Sequence, residues 1–183
     1  DAGNGQWSMR LGNWTPGLAA RNRPVIAILD SGLDSTHEEW RTPGLVVSPY
    51  STVRNIPDAR DWSTSGHGTH VAGIAAAPMN GVGIVGVAPA NTDPTMPGAR
   101  IMPVQIATAE GTSSDATMMR GIRWAVGHGA KVINISSGGE GYNQAFQDTV
   151  NWAYKRGALI IASAGNEGQL NNPVNFPAGY DHV

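Results

Sequence analysis

The sequence predicts an α/β fold, a doubly wound and mostly parallel sheet with helices on both faces, incomplete within these 183 residues. Three observations predict it. Short apolar, partly β-branched runs at 25–29, 100–104, 131–135 and 159–162 have the length and continuity of strands covered on both sides. Between the later runs, apolar residues recur at helical spacing. Alternating strand and helix requires right-handed crossovers, and those make the strands parallel.

The first run, Val25–Leu29, is bounded by Pro24 and by Asp30-Ser31-Gly32, so it ends in a tight turn with Asp30 at a strand's carboxyl end. Functional groups collect there in open α/β sheets. A carboxylate at that place can accept the Nδ1 proton of an imidazole, and by itself it can equally form an Asx-turn. Next, Gly66 and Gly68 flank His67, giving the main chain unusual freedom and a substrate close access. Thr69–Ala77 is a run of small helix formers that sets His67 at a helix amino end, where a positive imidazole is disfavoured until an acid offsets it. His70 lies one turn on; with no supporting Cys or acid for zinc, it is expected to be a packed structural histidine. The string Gly81-Val82-Gly83-Ile84-Val85-Gly86 fits a dinucleotide-binding pattern, but a helix precedes it and Pro89 follows, which is the wrong context.

After the strand at 100–104, Ser113-Ser114-Asp115 offers a helix cap, with Met118, Ile122 and Val126 on one face and Gly127 or Gly129 as the stop. Following 131–135, Asn143 leads into a helix with Phe146, Val150 and Ala153 inward, ended by Gly157. Ala158–Ala162 is expected to be another buried strand. Gly165-Asn166 turns away from its end, where an Asn amide can donate to an oxyanion or simply serve the turn. The least regular zones are 1–22, 41–65 and 88–99, the last resembling a surface insertion.

Composition bounds the partners. A net charge of −2 without a basic cluster argues against nucleic acid or an anionic membrane. Charged residues are 14% of the chain, below the usual figure of about 25%, while 24 Gly and 12 Pro indicate many tight loops. No apolar stretch spans a membrane. Asp1-Ala2-Gly3-Asn4-Gly5 lacks a charged-then-apolar leader, so any signal or pro-segment is expected to have been removed. The absence of Cys excludes disulfides and leaves the compartment open. Asn13-Trp14-Thr15 and Asn134-Ile135-Ser136 match glycosylation acceptors, the second inside an expected strand.

Asp30-Ser31-Gly32, Gly66-His67-Gly68-Thr69-His70-Val71-Ala72-Gly73 and Ala164-Gly165-Asn166-Glu167-Gly168 occur in the order found in subtilisin-like serine proteases, the subtilases, and the resemblance extends from about Arg23 to the end. It implies a subtilisin-like sheet, with residues 1–183 forming the amino-terminal part of a single peptidase catalytic domain. It also implies a secreted endopeptidase in which His67 is the general base, Asp30 orients it and Asn166 holds the oxyanion. By the same resemblance, Gly111, Thr112 and Ser113 form one substrate-binding rim, with Ser136, Ser137, Gly138 and Gly139 opposite and Ser163 nearby. Ser137 stands where many relatives have leucine, which departs from the usual large apolar preference. A structural calcium is implied at Gln6, Glu39, Pro78, Asn80, Val82 and Ile84, although the family more often has Asp where Glu39 stands. Asp58 and Asp61 are either a second, weaker cation site or solvated loop acids.

No serine here lies in a segment resembling the family's nucleophile, Gly-Thr-Ser-Met-Ala. The residues Phe176–Val183 resemble the entry to the family's next strand. A chain ending there would leave apolar surface and a sheet edge bare, so a companion carboxy-terminal fragment carrying the serine is expected, held non-covalently after a nick. Peptide or protein substrates and protein inhibitors are the remaining implied partners. The rival function is a catalytically dead remnant that binds peptides or an inhibitor through the same groove, for which Asp30, His67 and Asn166 would be unnecessary.

Overall fold

The computed structural model describes residues 6–14, 23–91 and 98–183. Its elements in order are α1 (Trp7–Leu11), β1 (Val25–Asp30), a 3-10 turn (Glu38–Trp40), β2 (Tyr50–Ser51), α2 (His67–Ala76), β3 (Arg100–Gln105), α3 (Asp115–Gly127), β4 (Ala130–Ile135), α4 (Gln144–Tyr154) and β5 (Leu159–Ala162). The strands form one all-parallel sheet in the order β2-β3-β1-β4-β5, with Val25 opposite both Arg100 and Ala130.

β1 is central because its residues face apolar neighbours on both sides. Ile28 packs toward α2 with Leu33, Leu45, Ala72, Ala76 and Ile101, while Ala27 and Leu29 face α3 and α4 with Val104, Ile122, Ile133, Phe146 and Val150. The sheet is thus wound on both faces, as expected. The connection leaving β1 passes over the α2 face and the one leaving β3 over the α3 face, so the adjacent carboxyl ends of β1 and β3 form a switch point, where a crevice opens.

The caps are those anticipated. Ser114 accepts from the Thr117 N–H in a reciprocal capping box, Asn143 accepts from the Ala145 N–H, and Gly129 and Gly157 take left-handed backbone just past their helices. Pro103 sits within β3 on the side where pairing to the edge is interrupted, between the Ile101 bonds to Leu45 and Val47 and the short β2; its missing N–H therefore costs no ladder bond.

Several expectations are corrected. The irregular zone 41–65 contains β2, and the zone 1–22 contains α1. The ends of the expected surface insertion, Ala90 and Ala99, are buried and bridged to each other, while 92–97, like Asp1–Gly5 and Thr15, lie outside the described residues. β5 is buried on one face alone: Ile160 is covered, but Leu159 and Ile161 are 49% and 46% exposed, since among the described residues no element packs on that side. His70 is exposed, because the buried stripe of α2 runs through Gly68, Ala72, Gly73 and Ala76 and leaves position 70 off it. Residues 175–183 close over α4 through Phe176 and Tyr180, whose rings pack with Phe146 and Tyr142.

Candidate active site

Asp30 ends β1 and is 5% exposed; its Oδ1 accepts from the Ser31 N–H at 2.8 Å. The same oxygen accepts from His67 Nδ1 at 2.7 Å, while the imidazole is 52% exposed. That single contact fixes the ring: Nδ1 carries the proton toward the acid, and Nε2 is left free to accept another.

The strand end and the helix start are held together by main chain. Gly66 is left-handed (φ 61°), turning the chain into α2, and Gly68 lies so close to the 31–33 turn that a Cβ there would sit 2.3 Å from the Gly32 carbonyl oxygen. Gly68 thus serves the approach of two backbones rather than of a substrate. Ser31 reinforces the joint, its Oγ accepting from the Gly68 N–H at 2.9 Å.

Asp61 is bound into the fold rather than free in solvent. Its Oδ2 accepts from the Thr69 hydroxyl (2.9 Å) and N–H (3.3 Å) at the start of α2, and its Oδ1 accepts from the Ser63 hydroxyl (2.6 Å) and N–H (3.0 Å). Burial raises the pKa of this carboxyl, but the hydrogen bonds from Ser63, Thr69 and Ser31 outweigh it and hold the group below the ordinary Asp range. Ser63 Oγ also lies 3.3 Å from Ser31 Oγ, linking Asp61 to the joint beneath His67. The sequence signal for this was Asp-x-Ser, an Asx-turn pattern, eight residues before a helix Thr. Asp58 is engaged by Arg54 and by the Arg60 N–H.

A cleft of about 440 Å³ opens over Asp30 and His67, with Ser63, Thr64 and Ser65 on one wall and Ala109, Glu110 and Gly111 on another. Of the expected substrate-binding residues, Gly111, Ser136 and Ser137 line it; Thr112, Ser113, Gly138, Gly139 and Ser163 do not. The two rims meet where Ser113 Oγ and Ser137 Oγ lie 3.2 Å apart. Gly139 has both main-chain groups paired with Phe176, at 3.0 and 2.7 Å, so it offers none to an added strand. Asn166 lies exposed just past β5, along the same edge of the sheet; its N–H donates to Glu167 Oε2 at 2.8 Å, a carboxylate that also accepts from Asn175. Ile106, Ala107, Ala109 and Glu110, which the sequence did not single out, complete the cleft.

Of the expected calcium residues, Glu39, Asn80 and Ile84 come together, Val82 donates its N–H to Asn80, and Gln6 holds the neighbouring Val85. Glu39 is 4% exposed, and its carboxylate accepts from the Ile84 N–H (3.1 Å) and the Asn80 amide (3.5 Å), with no cationic partner among the described residues. Gln6 clasps Val85 through two hydrogen bonds of 2.9 Å. The oxygens that could serve a hard cation are the Glu39 carboxylate and the amide oxygens of Asn80 and Gln6, which here accept from the N–H groups of Ile84, Val82 and Val85.

The Subtilase family profile matches residues 21–183. Fervidolysin from Fervidobacterium pennivorans is 38% identical over 87% of this chain and 22% of its own length. Its crystal structure, described as that of a keratinolytic enzyme related to subtilisin, superposes with a TM-score of 0.71 over 88% of this chain and 24% of that one. Minor extracellular protease Epr of Bacillus subtilis is 36% identical, covering 93% of this chain and 24% of the relative. Thermitase of Thermoactinomyces vulgaris is 39% identical, covering 91% and 55%. The chain therefore spans between about a fifth and about half of the relatives it matches. With an Asp and a His joined at a parallel sheet's switch point and a family match over nearly the whole chain, this polypeptide belongs to the subtilases, a family of serine protease hydrolases.

Proposed function

We propose that this chain provides the acid, the base and the oxyanion donor of a secreted serine endopeptidase, and that the nucleophilic hydroxyl belongs to a companion carboxy-terminal polypeptide. The observation that carries it is the 2.7 Å hydrogen bond between His67 and buried Asp30 beneath an open cleft. His67 Nε2 takes the proton of the serine as it attacks the peptide carbonyl, Asp30 stabilises the imidazolium that forms, and the proton is returned to the leaving amine. The Asn166 amide donates to the oxyanion, a contribution of about 10²–10³ in turnover where such a donor is removed. The peptide lies as an added strand between the 111–113 and 136–138 segments, near Ser163.

Two observations support a nucleophile supplied from outside these residues. Among the described residues no serine hydroxyl is paired with His67, and β5 is an edge strand with Leu159 and Ile161 uncovered. Secretion is supported by the extracellular protease among the relatives; among the described residues no helix is long and apolar enough to cross a membrane. A structural calcium at Glu39, Asn80, Gln6 and the carbonyls of Pro78, Val82 and Ile84 would neutralise the buried carboxylate and tie the loop to the 3-10 turn.

A serine-directed phosphonate applied to the native protein, followed by denaturing mass spectrometry, tests the assignment. Label on a serine outside residues 1–183, lost in His67→Ala, is expected. Label within these residues, or none on a folded protein, overturns it.

A further inference from the structure

Immediately before the Ser63–Ser65 wall lies an exposed cluster that hydrolysis does not use. Trp62 is half exposed, and two guanidinium groups lie over its ring, Arg60 at 5.1 Å and Arg54 at 5.4 Å from the centroid. Arg54 is anchored, donating to the Asp58 carboxylate at 3.4 Å and to Gln105 Oε1 at 3.4 Å. Arg60 differs: among the described residues its guanidinium has neither a carboxylate nor a hydrogen-bond acceptor, and the indole is its sole support.

Its backbone, in contrast, is fixed. The Arg60 N–H donates to Asp58 at 2.9 Å, its carbonyl accepts from Gln105 at 3.5 Å, and the next residue's N–H donates to Leu33. An open cation is therefore projected from a rigid segment beside the cleft. A guanidinium laid on an aromatic face is pre-organised and weakly hydrated, so it loses little on meeting a carboxylate. Glu110, exposed and also lining the cleft, carries the opposite sign.

We propose that Arg60, held by Trp62, is a specificity residue that takes the side-chain carboxylate of an Asp or Glu in the peptide substrate. Alternate side chains of a bound strand leave the cleft on opposite flanks. An acid is thus accepted on the 60–65 flank and repelled on the flank of Glu110. This inference rests on the cleft being a peptide site.

The test uses the full-length protein and a peptide series in which one Asp is moved through the residues flanking the cleaved bond, with Asn at the same place as reference. At low ionic strength one position should show an Asp/Asn ratio in kcat/KM of about two to five, the scale of a partly exposed ion pair. The ratio should approach unity as salt is added. Arg60→Gln should abolish it without slowing the Asn peptides, Arg60→Lys should retain part of it, and Trp62→Leu should weaken it. Equal ratios everywhere, or a ratio unchanged in Arg60→Gln, overturn the proposal. If no peptide is cleaved, the hydrolytic function has failed, and anisotropy of the labelled peptides then judges Arg60 separately. Tighter binding of the Asp peptide that Arg60→Gln removes upholds it; equal binding overturns it.

Discussion

Asp30 has two oxygens in unequal surroundings. Oδ1 accepts from Ser31 and His67, whereas Oδ2 is buried with no hydrogen-bond partner among the described residues. A carboxylate left half satisfied in a buried site is completed best by a positive charge beside it. In the proposed mechanism, the imidazolium formed on His67 would supply that charge as the serine is deprotonated. Asp30→Asn keeps the shape but reverses the polarity of the contact, so the imidazole turns to the wrong tautomer. In the full-length enzyme kcat should fall by about 10⁴-fold while KM changes little, as steady-state kinetics on a peptide substrate would read.

At the scale of elements, the joint between the 31–33 turn and α2 is where stability and catalysis share a fate. Gly68→Ala would drive a methyl group into the Gly32 carbonyl, so the helix must shift. A loss of about 1–3 kcal/mol is expected by denaturant melting, with activity lowered further because His67 moves with the helix. Asp61 caps the same helix, and its pKa is lower in the folded state than in the unfolded one. Its contribution is therefore present above about pH 3.8 and is lost as pH falls through the lower folded value. Asp61→Asn should lower the urea midpoint at neutral pH by the equivalent of about 1 kcal/mol and flatten the acid limb of the stability profile. Much of this region was legible beforehand. The apolar run into Asp30-Ser31-Gly32 and the small-residue run after Gly66 placed the strand end and the helix start, because periodicity and glycine punctuation are local signals. The partners of Asp61 were not legible. Its role depends on Ser31, Ser63 and Thr69 converging from three segments, and no local pattern records that convergence. His70 was misplaced for a related reason, since spacing on a helix does not say which stripe meets the sheet. β2, two residues long, owes its pairing to Val104 and Gln105 rather than to any propensity of its own.

Across the whole molecule, the loop around Glu39 joins α1, the 3-10 turn and the segment after α2, so a cation there would bind the folded form alone. Chelation with EDTA should lower the Tm of the full-length protein by about 5–10 °C, and Glu39→Gln should remove the difference between chelated and calcium-supplied samples. Equal melting in both conditions for the unmodified protein would exclude the ion. The strand order carries a different consequence, for the route by which the chain acquires its shape. β1, the middle of the sheet, pairs with strands that begin 75 and about a hundred residues later in the chain. Those contacts close long loops, whose entropy must be lost before any ladder bond repays it. During synthesis the central strand emerges early and waits for its first neighbour until residue 105, and for its second until residue 135, has left the ribosome. Slow acquisition of the native state is built into this topology.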